Sequence, residues 1–141
     1  MFDKNPEDRL RAWAEFRNSL ETTENPIKDT LELYAKAPLV NIQVDPYDRE
    51  TWLDPWQLLN ENKYCNFAIL LGILYTLQLT TRFSYTPAEI HISTNEETSE
   101  VFYLLHFDNL VIGYHGLNAI DKAELPDNLS IETVYSLPAM Q

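Results

Sequence analysis

An α+β fold is predicted by three features of this chain. Asx-Pro pairs open helix-period patterns in its first half. One long apolar stretch, Cys65–Leu79, has the length of a helix rather than a strand. From residue 88 onward, apolar residues recur with period two. The expected architecture is an N-terminal helical hairpin over 1–38, then a central buried helix packed on an antiparallel β-meander of three to five strands over 39–141. A chain of 141 residues reads as one domain, since domains commonly run to roughly 100–200 residues.

Each element has a local reason. Asn5-Pro6 supplies an N-cap and a proline at the first helical position, and Leu10, Trp13, Phe16 and Leu20 recur on one face. Asn25-Pro26 opens a second helix with Ile27, Leu31 and Tyr34 on one face, stopped near Pro38. The short loop Glu21–Glu24 makes the two an antiparallel pair. Leu39–Val44 alternates like a half-buried strand. Asp54-Pro55 starts a short third helix, in which Gln57 can complete a capping box. The helix from about Tyr64 to Leu79 is apolar nearly all round and should be buried on several sides. Gly72 inside it calls for a close neighbour. Glu89–Ser93 and Glu100–Phe107 read as strands. Asp108-Asn109 is a tight turn, and Leu110–His115 returns. A two-residue turn pairs Phe107 with Leu110, Leu105 with Ile112 and Tyr103 with Tyr114, leaving His106 beside Val111 and Phe102 beside His115 on the other face. Leu129–Tyr135 is a candidate last strand.

Composition narrows the function classes. Hydrophobic residues make up 45%, enough for a core without disulfide or metal. One cysteine forms no internal disulfide and fits a reducing compartment. The start of the chain is polar, with no signal-peptide pattern, and the apolar stretch is shorter than a membrane span. Net charge is −12; residues 84–141 hold nine acids against the single base Lys122. That half repels phosphate backbones and anionic lipid, which argues against nucleic acid and membrane as partners and suits a basic protein surface. Three glycines leave little from which to build a phosphate loop. No Cys-x-x-Cys or His-Glu-x-x-His spacing is present, so neither metal nor cofactor is expected.

Two function classes remain. In the first, Cys65 is a nucleophile: a thiol at a helix N-terminus has its thiolate favoured by the dipole, and a histidine within reach would take its proton. The stretch Thr51-Trp-Leu-Asp-Pro-Trp-Gln-Leu58, followed by Tyr64-Cys-Asn-Phe-Ala-Ile-Leu70, resembles transglutaminase-like and papain-like cysteine enzymes over about residues 45–112. The family's Gly-Asp before the cysteine is Lys63-Tyr64 here, and Asn66 stands where an acid is usual. The resemblance implies a hydrolase or acyltransferase, active or degenerate. Cys65 would attack an acyl carbon, His91 or His106 would be its base, and Asp108 would orient the base. The plainer reading of Cys65 is a small core residue.

The second class is a protein-binding accessory protein. Seventeen aromatics exceed what a small core needs, and Tyr47, Trp52 and Trp56 flank a proline-rich connection where they can stay exposed as a binding surface. The runs Ala37-Pro-Leu-Val-Asn-Ile-Gln-Val-Asp-Pro-Tyr-Asp48, Trp52-Leu-Asp-Pro-Trp-Gln-Leu-Leu59 and Tyr75-Thr-Leu-Gln-Leu-Thr80 look like small proteins of T4-like phages of marine cyanobacteria. That resemblance implies a phage or host protein partner, and a location in the bacterial host cytoplasm or the virion. This second class is the leading expectation.

Overall fold

The computed structural model describes residues 1–41 and 44–138. The elements are α1 (Pro6–Ser19), α2 (Pro26–Tyr34), α3 (Pro55–Glu61), α4 (Asn66–Gln78), β1 (Ala88–Asn95), β2 (Val101–Phe107), β3 (Leu110–His115), β4 (Asn118–Asp121) and β5 (Leu129–Leu137), with 3-10 turns at Arg49–Thr51 and Lys122–Glu124. This is an α+β fold: helices precede one antiparallel sheet of order β4-β3-β2-β1-β5.

Three of the four Asx-Pro pairs start helices, by different means; the fourth, Asp45-Pro46, opens a turn in which the Asp45 carboxylate accepts the Tyr47 N–H. The Asn5 side chain accepts the Asp8 N–H at 2.9 Å. Asp54 and Gln57 form the full capping box, with bonds of 2.8 and 3.0 Å. Asn25 makes no capping bond, so α2 begins on the preset φ of Pro26 alone. The two N-terminal helices lean on different neighbours: α1 packs mainly on α3 and α2 mainly on α4. A buried guanidinium fixes the first of these. Arg9 donates to the carbonyls of Leu59 (2.8 Å) and Lys4 (2.6 Å), satisfying a last-turn carbonyl of α3. The loop after α1 is tied to the chain beyond α4, because the Glu21 carboxylate accepts the Thr81 and Arg82 N–H groups.

Of the expected strand over 39–44, the described residues form one bridge only. Leu39 makes a single parallel bridge to Tyr64, closed by Val40 N–H to Tyr64 O and Tyr64 N–H to Pro38 O. Residues 42 and 43 of that expected strand lie outside the described residues.

The core joins α2 and α4 to one face of the sheet. Phe67, Leu71, Ile73, Leu74 and Leu77 of α4 meet Ile90, Leu105, Phe107 and Ile112. Each such fully buried side chain contributes roughly 1.5–3 kcal/mol. Gly72 has the close neighbour it calls for: a Cβ there would lie 2.5 Å from Cε1 of Tyr34.

In the meander, Phe107 pairs with Leu110, Leu105 with Ile112 and His106 with Val111, as expected, and Asp108 at the turn takes a left-handed φ of 56°. The expected partnership of Tyr103 with Tyr114 fails. Gly113 adopts φ 117° and sits against the Tyr103 carbonyl, the β3–β4 register shifts between Ile112 and His115, and Tyr114 turns its ring onto Phe102, 5.0 Å between centroids. Phe102 therefore meets Tyr114 rather than His115. The last strand runs along β1 rather than beside β4, with Glu132 as the extra residue at a register shift.

Candidate functional site

The residues proposed for cysteine chemistry do not come together. Cys65 is the N-cap of α4, as the spacing implied, but its side chain makes no capping bond and is buried in the helix-side core. His91 and His106 alternate with Ile90 and Leu105, the sheet residues that face that core. They therefore lie on the opposite face, with the sheet between them and Cys65. Asp108 sits at the β2–β3 turn, beyond the end of the strand that carries His106. A cysteine nucleophile needs an imidazole in hydrogen-bond reach; here the fold puts a layer of backbone between them. His115 is exposed at the end of β3, against Tyr114.

The two histidines form an arrangement that was not foreseen. Their rings stack with centroids 3.8 Å apart and planes 24° from parallel. Glu89 pairs directly with His106 across the strands, and its carboxylate contacts His91 Nε2 at 2.9 Å. That hydrogen bond from His91 holds the Glu89 carboxyl below its ordinary range. Neither nitrogen of His106 has a partner. Burial, with His91 and Lys122 close by, pulls its pKa down to about 4.

The aromatic trio proposed for binding divides. Trp52 is half-buried, packed on Phe67 and Tyr135, and its indole N–H donates to the Asp45 carbonyl. It pins the 45–54 connection to the core. Trp56 is 52% exposed, with one edge against Trp13 on the α1 side. Tyr47 is 53% exposed, and its hydroxyl donates to Glu132 on β5. Tyr47 and Trp52 thus share Asp45 as a bonding partner, while Trp56 packs against α1.

A different surface is continuous. Leu39 is 63% exposed, Val40 43% and Val101 44%. Leu39 stands between two hollows over the start of α4. One, of about 390 Å³, is walled by Ile69, Leu70, Val101, Phe102 and Leu117; the other, of about 630 Å³, by Val40, Val44, Pro46, Cys65 and Phe67. Both share Leu39, Asn66 and Tyr103. Tyr47, next to Pro46, extends the surface toward β5. The acids Asp45, Asp48 and Glu100 adjoin these residues in sequence, Glu132 is bonded to Tyr47, and the bases Lys36 and Lys63 adjoin Ala37 and Tyr64 in sequence. Strand-like alternation over Leu39–Val44 masks the exposure of the pair Leu39-Val40; the run Ala37-Pro-Leu-Val, apolar and broken by proline, is the signal for it in the sequence.

Among the described residues, no group of three His, Cys, Asp or Glu side chains could hold a metal ion, and no helix is long and apolar enough to cross a membrane. No protein-family model matches the chain, and no curated protein matches it.

Proposed function

We propose that the protein acts by docking a polypeptide partner on the apolar surface centred on Leu39. The observation that carries this reading is the exposure of Leu39, Val40 and Val101 around two adjoining hollows, where a small globular chain would otherwise bury such side chains. Side chains of a partner, filling the hollows, would give the interface a desolvated centre. The acids beside Tyr47 and Val101, with the net charge of −12, favour a partner segment that combines basic and apolar residues. The resemblance to cyanophage proteins supports a phage or host protein as that partner, met in the host cytoplasm or in the virion. The cysteine-hydrolase reading loses its main support, because the sheet stands between Cys65 and both candidate bases.

Site-specific photocrosslinking tests the proposal. A benzophenone side chain at position 39 should give one discrete adduct in cells that contain the natural partners. Untagged protein should compete it away, and untagged Leu39→Asp, Val101→Asp should not. A crosslinker at Glu15, on the exposed side of α1, should give none. Absence of an adduct from position 39, or the same adducts from both positions, would refute the docking surface.

A further inference from the structure

The chain between β4 and β5 has to pass from one edge of the sheet to the other, since those strands are the two edges. Lys122 at its start donates its N–H to the Asn109 carbonyl at the β2–β3 turn. Asn128 at its end accepts the Glu96 N–H at the β1–β2 turn. The connection thus also runs the length of the sheet. Helices cover the face that carries Ile90, Leu105 and Ile112. On the other face, His91, Ser93, Leu104, His106 and Val111 are buried as well, and Lys122 lines one cleft with Glu89, His106 and Asp108.

We propose that the stacked His91–His106 pair is an acid-operated latch: neutral, it holds the 122–128 connection on the sheet, and protonated, it releases that connection while the helical side stays folded.

The geometry of the pair supplies the mechanism. Two neutral imidazoles stack at van der Waals distance; a proton on His106 puts a charge into that stack with no acceptor for either of its ring nitrogens. The groups that face the pair come from five segments. Strand β1 offers Glu89, whose carboxylate is already engaged by His91. The β2–β3 turn offers Asp108, which makes no hydrogen bond to either ring. Strand β5 offers Val134, paired with His91, and Ser136, neither of them charged, and the connection brings the cation Lys122. Strand β3 adds the apolar Val111. A charged His106 would have no acceptor and an ammonium for a neighbour. Lifting the connection admits water to both nitrogens and removes Lys122.

The sign follows from linkage. The open form takes up the proton near the ordinary 6.5, the closed form only near 4. The closed form therefore has its full advantage above pH 6.5 and loses about tenfold per pH unit as pH falls from there toward 4.

The test is native-state hydrogen exchange on the full chain from pH 7.5 to 4.5, corrected for intrinsic rates, together with an NMR titration of the imidazole C–H signals. Protection at Lys122, Leu125 and the β4 amides should fall by one to two orders of magnitude while α4 amides keep theirs, and the His106 ring should titrate well below 6.5. His106→Phe keeps a flat ring in the stack and removes the proton, so it should abolish the pH dependence. Equal loss in the connection and α4, unchanged protection at Lys122 and Leu125, or the same pH dependence in His106→Phe would overturn the latch. Should that variant fail to fold, the wild-type titration decides: a His106 ring titrating near 6.5 overturns it.

Discussion

The Tyr34 hydroxyl lies 2.9 Å from Thr76 Oγ1, and the direction of that hydrogen bond is fixed by the other bonds around it. Thr76 spends its one proton on the Gly72 carbonyl at 2.7 Å, and the Trp13 indole, a donor only, reaches the same oxygen at 2.9 Å. Tyr34 must therefore donate. One threonine hydroxyl thus joins α1, α2 and α4, all within the fully buried interior. Burial also drives the Tyr34 phenol well above its ordinary pKa, so it remains a donor at any working pH.

Thr76→Val should be costly for its size. It is nearly isosteric but leaves the Trp13 N–H and the Tyr34 O–H buried without an acceptor, a loss of about 2–4 kcal/mol. Tyr34→Phe removes one donor and leaves Thr76 serving Trp13, so it should cost only about 1 kcal/mol. Urea unfolding of the two variants measures the ratio. Equal losses would mean that the hydroxyl is not the junction.

Gly72→Ala tests the contact beneath that junction. By helix propensity alone, alanine should stabilise the middle of α4 by about 1 kcal/mol. The new Cβ would stand 2.5 Å from Tyr34 Cε1, and the ring cannot move without stretching its bond to Thr76. The net change should be a destabilisation of about 1–3 kcal/mol. A stabilised variant in thermal or urea unfolding would contradict the packing described.

Cys65 should behave as a core residue. Iodoacetamide should label it slowly in the native protein from pH 5 to 9 and rapidly once the chain is unfolded, because the thiol is buried in the helix-side core and His91 and His106 lie across the sheet from it. Fast native labelling with a depressed thiolate pKa would return the cysteine-enzyme reading to the front.

The helices, the capping box at Asp54-Gln57, the need for a neighbour at Gly72 and the hairpin at Asp108-Asn109 were legible because each is written in residues close together along the chain. What escaped depends on distant partners. Strand β4 is four residues long with one large apolar side chain, Ile120, so it has no periodicity to read. Strand β5 could be read as a strand, but its place beside β1 rests on the return of the chain across the sheet. The same return brings Lys122 to His106. Of the site residues, Cys65 was correctly placed at a helix start, yet helix and strand patterns alone do not say which sheet face looks toward that helix. Arg9, a charged residue on a surface-like helix, gave no sign that it would be buried under the end of α3.

Gly113 and Gly116 offer a paired test of the β3 distortion that separates Tyr103 from Tyr114. Both have positive φ, 117° and 60°, so alanine is strained at either. At Gly116 a Cβ meets nothing within 4 Å, and Gly116→Ala should cost only the conformational term, about 1–2 kcal/mol. At Gly113 the added carbon would lie 2.2 Å from the Tyr103 carbonyl oxygen, a backbone atom that cannot swing aside. Relief requires β3 to move off β2, which would also part Phe102 from Tyr114 and disturb the wall of the hollow beside Leu39. Gly113→Ala should therefore lose several-fold more stability than Gly116→Ala in urea unfolding, and its crosslinking from position 39 should weaken even where the protein remains folded. Similar losses for the two variants would show that the strands part at Gly113 for conformational reasons alone, and that the hollow does not depend on the close approach of β3 to β2.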